Sequence, residues 1–342
     1  MEASIAKLSK HQISAFFSKN SSAMQEQCDQ EAERLTGTSV HPAPVQGGTS
    51  YTVVSDDETS VVQFRSGSHA LDIDLLRCVE QAYMGFTPRH QFVGYLGELY
   101  VYRMGNVGGI SMYLARDQLC KNDFSLLRRA VSYFAQFFAS AWHNTPSRMQ
   151  HPSRASLHDE YSSQLSQLQQ GLPVRFRPTL DHLISKLPGL FENSWPLVPN
   201  HTDLLENNIH VNTETGRMTG ICDWKDTAIG PFGVSLGGLE TMLGIRTMEE
   251  GWRYHVKQQE LRDLFWDSFY LAMGNVSEEQ KELIEVARLV GLFLDNGFVW
   301  NDAGIKVPAG EINDIYDNLH YLEMVTLKLW AQGDRQSGDS FK

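Results

Sequence analysis

The chain has 342 residues and a mass of 38.7 kDa, which exceeds one ordinary domain and suits a two-lobed enzyme. Hydrophobic residues make up 42% of it, enough for a large core, so the composition excludes a disordered, collagen-like or coiled-coil protein. With 29 basic and 41 acidic residues, the net charge of −12 argues against binding to nucleic acid or an anionic membrane, because both need basic patches. The acidic excess lies in residues 201–342, which hold 12 basic and 23 acidic side chains.

Cysteine use and the N-terminal sequence indicate the compartment. The four cysteines are far apart and form no CxxC pair, which favours a reduced environment. The N-terminal segment lacks the apolar core of a signal peptide, and no apolar run of about 18 residues could span a bilayer. We therefore expect a cytoplasmic protein without membrane contact, and the sequence carries no signal for an oligomeric state.

Residues 1–104 predict a small β-rich lobe behind an N-terminal helical segment. The β-rich runs within 50–65 flank a turn-forming Asp-Asp-Glu and predict a hairpin. A helix is expected over 71–83, where apolar residues recur on one face, and a second hairpin over 92–104. Hairpin, helix and hairpin together predict a lobe of antiparallel strands with one helix.

Residues 105–331 predict a larger helical lobe, reached through a glycine-containing hinge near Asn106. A stretch rich in Ser, Gln, Pro and Arg, residues 144–178, is expected to be a surface connection with one short helix. The tail 332–342 is expected to be disordered. Helical patterns are predicted over 124–143, 180–187, 236–243, 250–273, 278–293 and 311–330.

Residues 200–226 carry the pattern that points to chemistry. Two short β-rich runs separated by the turn Thr-Glu-Thr-Gly predict a hairpin over 209–222. A hairpin returns the chain to where it left, so Asn208 and Asp223 should arrive side by side, with Asp203 one loop away. Two carboxylates and an amide oxygen suit Mg²⁺. Magnesium beside a further aspartate indicates phosphoryl transfer.

Two other interpretations of this stretch remain open. Asp and Asn next to strands are often only caps and turn residues, although the joint placement of three of them weakens that explanation. His201 and Asp203, with the distant Asp223, could also bind a metal in a hydrolase. A dinuclear hydrolase usually needs more histidine ligands than this region offers.

The H-x-D motif at 201–203, the spacing to Asn208, the hairpin and the D-W pair at 223–224 resemble the aminoglycoside phosphotransferase-like enzymes of the phosphotransferase enzyme family. Their loop usually reads HGDxxxxN followed by IDW, and QGGTSYTVV, SVVQFR and LYVYRM look like a branch common in fungi. The resemblance covers roughly residues 45–330. It implies an α+β, protein-kinase-like two-lobed fold and a small-molecule kinase that uses ATP and Mg²⁺.

Roles for the loop residues follow from the same resemblance. Asp203 is expected to be the base that orients the attacking hydroxyl. Asn208 and Asp223 are expected to hold Mg²⁺. His201 is expected to be structural and to hold the loop, and Trp224 to pack under the metal aspartate.

The resemblance also predicts a nucleotide site. Backbone amides at Gly47, Gly48, Thr49 and Ser50 should cover the phosphates, because donors at a tight turn form an anion nest. The base should lie under the strand 100–104, with its edge bonded to the backbone of Tyr102 or Met104. Expected apolar walls of this site are Val53, Val62 and Ile221.

One departure from the family pattern concerns the small-lobe lysine that reaches the α- and β-phosphates. The aligned position is Gln63, which supplies no charge. Arg65 lies two residues on, faces the same side of an extended strand and could substitute, or it could be a solvated residue at the strand end. The expected helix partner of this cation is one of three carboxylates, Asp72, Asp74 or Glu80.

The acceptor is expected to carry a hydroxyl and to bind in the helical lobe near Asp203. The acidity of that lobe favours a cationic acceptor, although solvated surface carboxylates would give the same composition. Expected acceptor-binding residues are Asp226, Glu240, Asp295 and Trp300. The expected function is therefore a small-molecule kinase, with secondary metabolism as the suggested setting. The alternatives are a pseudokinase or binding protein that uses the cleft without transfer, and a non-kinase biosynthetic enzyme on the same fold.

Overall fold

A computed structural model describes residues 2–247, 251–314 and 317–327. Within these ranges the chain forms a small lobe built on one antiparallel sheet and a larger lobe that is mainly helical. The last strand of the small lobe ends at Gly105, next to the predicted hinge. The predicted tail at 332–342 lies outside the described residues.

The small lobe contains a five-stranded sheet with the strand order β1-β2-β3-β5-β4, in which every neighbouring pair is antiparallel. Both predicted hairpins are present, and the predicted helix connects them. The elements are α1 (Glu2–Lys19), α2 (Gln25–Thr36), β1 (Val40–Pro42), β2 (Ser50–Ser55), β3 (Ser60–Arg65), α3 (Ile73–Ala82), β4 (His90–Leu96) and β5 (Leu99–Gly105).

Side chains alternate between the two faces of this sheet. Tyr51, Val62 and Phe64 are buried on one face, together with Phe16 of α1 and Cys28 of α2, and form the core of the lobe. The other face looks towards the large lobe. The prediction that Val53 and Val62 line the nucleotide site is wrong, because both belong to the core under α1 and α2.

The large lobe is organised around α5 (Lys121–His143), which packs along α9 (Gln258–Met273) and buries Phe134, Phe137 and Phe138. Its elements are β6 (Ile110–Ser111), α4 (Met112–Leu119), α5 (Lys121–His143), α6 (Arg154–Gly171), α7 (Arg177–Lys186), β7 (Leu197–Asn200), β8 (Ile209–Val211), β9 (Met218–Ile221), β10 (Ala228–Pro231), α8 (Glu240–Leu243), β11 (Gly244–Thr247), β12 (Gly251–Tyr254), α9 (Gln258–Met273), α10 (Glu278–Asn296), β13 (Phe298–Trp300), β14 (Lys306–Pro308) and α11 (Asn318–Leu322), with 3₁₀ turns at Gly67–His69, Val174–Phe176, Leu187–Phe191 and Val234–Leu239 and a π-helical turn at Glu323–Leu327.

Three predicted segments of this lobe differ from the structure. The expected surface connection contains the 18-residue helix α6, which Leu157, Leu165 and Leu168 bury against the lobe. The predicted helix over 250–273 begins only at Gln258, because the paired strands β11 and β12 come first. Of the helix predicted over 311–330, the described part becomes helical only from Asn318.

The cysteines Cys28, Cys78, Cys120 and Cys222 all carry free thiols. No helix in the described part of the chain combines the length and apolar character needed to cross a membrane.

Candidate active site

The hairpin of β8 and β9 joins the residues predicted to bind metal. Ile209 lies opposite Ile221, and the pairing extends to a hydrogen bond from the Cys222 amide to the Asn208 carbonyl at 2.9 Å. Asn208 therefore lies next to Asp223. The Asn208 side-chain amide also donates to Asp203, at 2.7 Å to the carbonyl and 3.4 Å to the carboxylate. The three residues expected to form the site are thus brought together.

His201 fastens the loop that carries Asp203. Its Nε2 donates to the Cys222 carbonyl at 2.8 Å, and its Nδ1 accepts from the Asp203 amide at 3.1 Å. Burial lowers the pKa of this imidazole, which fits the neutral tautomer that both hydrogen bonds require. The ring packs edge-on against Trp224 at 4.6 Å, and the indole Nε1 donates to the Ile221 carbonyl at 2.9 Å. Both residues occupy the structural positions expected of them.

Asp223 follows β9 with a left-handed backbone, at a φ of 59°, and its side chain is 56% exposed. Asp tolerates this conformation better than most residues, because its short polar side chain bonds locally. The turn points the carboxylate out of the hairpin towards the small lobe. There its Oδ1 lies 3.5 Å from the guanidinium of Arg65, so the two lobes meet through an ion pair.

The Arg65 side chain is only 4% exposed, so it is not a solvated strand end. Its Nε donates to the Gln63 Oε1 at 2.7 Å, while the Gln63 amide donates to the hydroxyls of Thr52 at 3.0 Å and Ser50 at 3.3 Å. Burial lowers the pKa of Arg65, with the charge of Asp223 opposing that effect. Its Nη1 is buried without a hydrogen-bond partner. The guanidinium therefore has an unused donor beside the carboxylate site.

The expected partner of this cation on helix α3 is absent from its surroundings. Asp72 caps the helix by accepting from the Leu75 amide at 3.0 Å, and Asp74 pairs with Arg77. Glu80 accepts from the amide of His90 at 2.7 Å. The prediction that one of these three carboxylates pairs with Arg65 is wrong, because Asp223 occupies that position.

The nucleotide-site residues occupy two places in the small lobe. Residues 47–50 lie in the connection between β1 and β2, at the start of β2. Tyr102 and Met104 lie on β5, which has β3 on one side and β4 on the other. The sheet therefore already uses their backbone polar groups, so the expected bonds from that backbone to a base are wrong. The chain leaves the sheet after Gly105, and the amide of the next residue, Asn106, donates to the Thr59 carbonyl at 3.0 Å.

The prediction that Glu240 binds the acceptor is wrong. It is fully buried and pairs with Arg262, at 2.8 and 2.7 Å, and with Arg288 at 3.2 Å. The Tyr254 hydroxyl donates to it at 3.1 Å. A carboxylate enclosed by two guanidinium groups and a phenol is part of the architecture of the lobe and has no access to a substrate.

The other predicted acceptor residues remain accessible. Asp226 is 75% exposed at its side chain, and its carbonyl accepts from the Thr202 hydroxyl at 2.7 Å, which ties it to the loop of Asp203. Asp295, at the end of α10, keeps contact with solvent, yet surrounding protein raises the pKa of its carboxyl to about 7. Repulsion from Asp203 adds to this shift. Trp300 is 72% exposed on β13.

The sequence did not predict an ion pair that holds the loop of Asp203 against α4. Glu206, between Asp203 and Asn208, forms a two-pronged ion pair with Arg116 of α4, and both side chains are largely buried. The Tyr113 amide donates to the Glu206 carbonyl at 3.3 Å. A single acidic residue in the loop was the available signal, but nothing local in the sequence identifies Arg116, 90 residues earlier, as its partner.

The chain is similar to known proteins in sequence pattern and in fold. The model of the phosphotransferase enzyme family matches residues 88–253. No curated protein matches the chain. A choline/ethanolamine kinase family protein from Mesorhizobium loti is 14% identical, with a TM-score of 0.50, and the match covers 87% of this chain and 92% of that one. A protein from Ralstonia eutropha JMP134 assigned to the aminoglycoside phosphotransferases is 14% identical, also with a TM-score of 0.50, over 79% and 89% of the two chains.

At 14% identity, these structures are evidence for the fold alone. They confirm the predicted α+β, protein-kinase-like architecture. The matched segment includes the loop, the hairpin and the D-W pair on which the resemblance depends. Residues 88–253, just under half of the chain, thus match the phosphotransferase enzyme family, as the loop motif predicted.

Proposed function

We propose that the protein is an ATP- and Mg²⁺-dependent phosphotransferase that moves the γ-phosphate to a hydroxyl of a small molecule. The observation that carries the proposal is the convergence of Asp203, Asn208 and Asp223 opposite the buried guanidinium of Arg65. Carboxylates and an amide oxygen on one side and a cation on the other form the pair of surfaces that a magnesium-bound polyphosphate needs.

The donor set fits magnesium. The Asn208 amide nitrogen is committed to Asp203, which leaves its side-chain oxygen as a ligand, and the Asp223 carboxylate is exposed beside it. These are hard oxygen donors, which Mg²⁺ prefers. When bound, the ion would neutralise charge on the phosphate oxygens.

Asp203 is suited to accept the proton of the acceptor hydroxyl. Its side chain is exposed, whereas its backbone is held by His201 and Asn208. A carboxylate on a fixed loop can orient a hydroxyl for in-line attack, and positioning is the main task of the protein in phosphoryl transfer.

Arg65 takes the place of the family's phosphate-binding lysine. Its unpartnered Nη1 is the donor that a phosphate oxygen would satisfy, and Gln63 orients the guanidinium through Nε. A buried donor without a partner costs free energy, so binding of an anion at this point is favourable. Gln63 then serves as a support for Arg65 and does not contact the nucleotide itself.

The rest of the nucleotide site lies at the edge of the small lobe. The amides of Gly47, Gly48, Thr49 and Ser50 cover the phosphates. The backbone at Val107, just beyond β5, bonds the edge of the base, and the side chains of Tyr102 and Met104 lie on the strand above it.

A cationic acceptor with a hydroxyl suits the carboxylates near Asp203. Asp295 lies within electrostatic reach of Asp203 and is ionised above a pH of about 7, where it attracts an ammonium group. Asp226 adds a second exposed carboxylate, and Trp300 offers an exposed ring for a cation–π contact. The cytoplasmic setting and the role in secondary metabolism stay predictions from the sequence.

The proposal is tested by nucleotide binding and turnover in three variants. We expect Mg·ATP to raise the Tm of the wild type and of Asp203→Asn, and to have little effect on Asp223→Asn, which keeps a residue type that tolerates the left-handed backbone. With a panel of amino alcohols and amino sugars, ADP release should fall by about 10³-fold or more in Asp203→Asn. Asp74→Asn, an exposed carboxylate on α3, is the control and should match the wild type.

The same experiment separates the alternatives. A Tm that does not respond to ATP or Mg²⁺ in the wild type would contradict the proposal. Binding of nucleotide without ADP release for any acceptor would indicate a binding protein that has kept the cleft. Turnover that Asp203→Asn leaves unchanged would assign the chemistry to another residue.

A further inference from the structure

The connection between β1 and β2 is closed by the side chain of a residue that the proposed function does not use. Pairing of the two strands ends with a hydrogen bond from the Ala43 amide to the Thr52 carbonyl at 2.9 Å. Beyond it, Gln46 continues the ladder with its amide: Nε2 donates to the carbonyls of Thr52 at 2.7 Å and Ala43 at 3.1 Å, and Oε1 accepts from the Thr52 amide at 3.1 Å. Gln46 is only 6% exposed. One buried side chain therefore fixes the width of the loop just before Gly47.

Helix α1 holds the same loop from outside. The Ser9 hydroxyl donates to the Pro44 carbonyl at 2.8 Å and accepts from the Gln46 amide at 3.3 Å. One turn later, Gln12 approaches Gly48 so closely that a Cβ at position 48 would lie 3.2 Å from its Oε1. Two polar residues on one face of α1 thus contact the loop on both sides of Gly47.

The helix is itself firmly attached to the sheet. Phe16 is 1% exposed in the core of the small lobe, and the ring of Phe17 packs edge-on against Tyr51 at 5.0 Å. Tyr51 directly follows the loop on β2. The contacts of Ser9 and Gln12 are therefore made from a rigid support, although α1 lies outside the segment that matches the family model.

We propose that Ser9 and Gln12 of α1, together with Gln46, position the loop of residues 43–49 for binding the nucleotide phosphates. The inference rests on the proposed function, because it assigns these phosphates to this loop. A loop held in its binding conformation spends less free energy on ordering when the ligand arrives. The three residues do not touch the reacting atoms, so they act on nucleotide affinity and not on the chemical step.

Substitutions in one helix give a matched test. Ser9→Ala removes both hydrogen bonds to the loop, whereas Ser18→Ala removes only a bond within α1, to the Ala15 carbonyl at 2.9 Å. We expect Ser9→Ala to raise the KM for ATP by roughly fivefold, the effect of about one hydrogen bond, with kcat and the acceptor KM unchanged. Gln46→Ala, which loses three bonds, should raise it further, and Ser18→Ala should match the wild type.

A second measurement does not depend on turnover. Hydrogen exchange of the amides at residues 47–50, without nucleotide, should be faster in Ser9→Ala and Gln46→Ala than in Ser18→Ala, while exchange in β3 and β5 stays unchanged. Unchanged exchange and an unchanged ATP KM in Ser9→Ala would overturn the inference. An equal loss of kcat in Ser9→Ala and Gln46→Ala would do so as well, because positioning for binding leaves kcat intact. If the wild type binds no nucleotide, the proposed function fails, and faster exchange in Ser9→Ala would still show that α1 orders the loop.

Discussion

Positions 63 and 65 decide where the positive charge of the small lobe lies. Residues two apart on a strand share a face and are separated by about 6–7 Å along it. Gln63, where the resemblance leads us to expect a lysine, accepts a hydrogen bond from Arg65 through its side-chain oxygen. The positive charge of this strand thus lies two residues beyond Gln63, beside Asp223.

Arg65→Ala should raise the KM for ATP by roughly tenfold or more, since hydrogen bonds to a charged group contribute about 1.5–3 kcal/mol. Steady-state kinetics at varied ATP measures this change. Arg103→Ala is the matched control, because Arg103 lies on β5 opposite Val62, on the face away from the cleft. An unchanged KM in Arg65→Ala would mean that the guanidinium contributes nothing to nucleotide binding.

At the scale of elements, the β8–β9 hairpin shows what the sequence could predict. Its turn residues and alternating pattern are local, and a hairpin must bring its two ends together, so Asn208 and Asp223 could be paired in advance. The position of Asp203 one loop away could also be predicted, whereas the structural role of His201 was implied only by the family resemblance. The buried face of α6 was harder to predict, because its three buried leucines lie among many Ser and Gln residues.

Residues with distant partners could not be predicted in the same way. Glu240 looked like a substrate carboxylate, but it is enclosed by Arg262 and Arg288, 22 and 48 residues further along the chain. No local pattern reveals such a pairing. The base contacts expected at Tyr102 and Met104 failed for a related reason, since only the strand order shows that β5 is internal.

Two adjacent glycines in the 3₁₀ turn before α8 face different side chains. Substitutions at these glycines should therefore distinguish an effect on stability from an effect on catalysis. A Cβ at Gly238 would lie 2.7 Å from the side chain of Leu204, the residue after Asp203, whereas a Cβ at Gly237 would lie 2.8 Å from Leu292 of α10. Leu204 is also held through its carbonyl by the Thr241 hydroxyl at 3.2 Å. The turn before α8 thus supports the loop of Asp203 directly.

We expect Gly237→Ala and Gly238→Ala to lower stability similarly, by about 1–3 kcal/mol, because each overpacks a buried contact. Only Gly238→Ala should lower kcat, by up to about 10²-fold, since displacement of Leu204 by about 1 Å moves the neighbouring Asp203. Denaturant unfolding and single-turnover kinetics measure the two effects. Equal kcat values in both variants would show that Leu204 does not transmit the strain to Asp203.

For the whole molecule, the acidic excess has several separate uses. Glu240 with Arg262 and Arg288 joins α8, α9 and α10 inside the large lobe, and Glu206 with Arg116 joins α4 to the loop of Asp203. Other carboxylates pair on the surface, where such pairs contribute little to stability. The charge near the cleft is thus only a small share of the total of −12.

Acid should unfold the large lobe through Glu240. Burial alone would raise the pKa of this carboxyl, but Arg262 and Arg288 hold it below its usual value. A depressed folded-state pKa means that the stabilisation is present above the unfolded value of about 4.3 and is lost as the pH falls through the folded value. Glu240→Gln should cost about 3–5 kcal/mol at pH 7, because it leaves the buried Arg262 without its carboxylate and Arg288 with Glu285 alone, and should flatten the acid limb of a stability–pH curve. A steep acid limb in that variant would show that other groups cause the acid unfolding.

The ion pair between Arg65 and Asp223 has a consequence for control of the enzyme. In protein kinases the cation of the third strand pairs with a glutamate on the following helix, so that swinging this helix outward switches the enzyme off. Here the carboxylates of α3 are engaged with Leu75, Arg77 and His90, and the cation reaches the large lobe directly. Movement of α3 would leave the guanidinium where it is. We therefore expect activity to follow the supply of substrates and not the position of α3, because the proposed phosphate-binding cation does not depend on that helix.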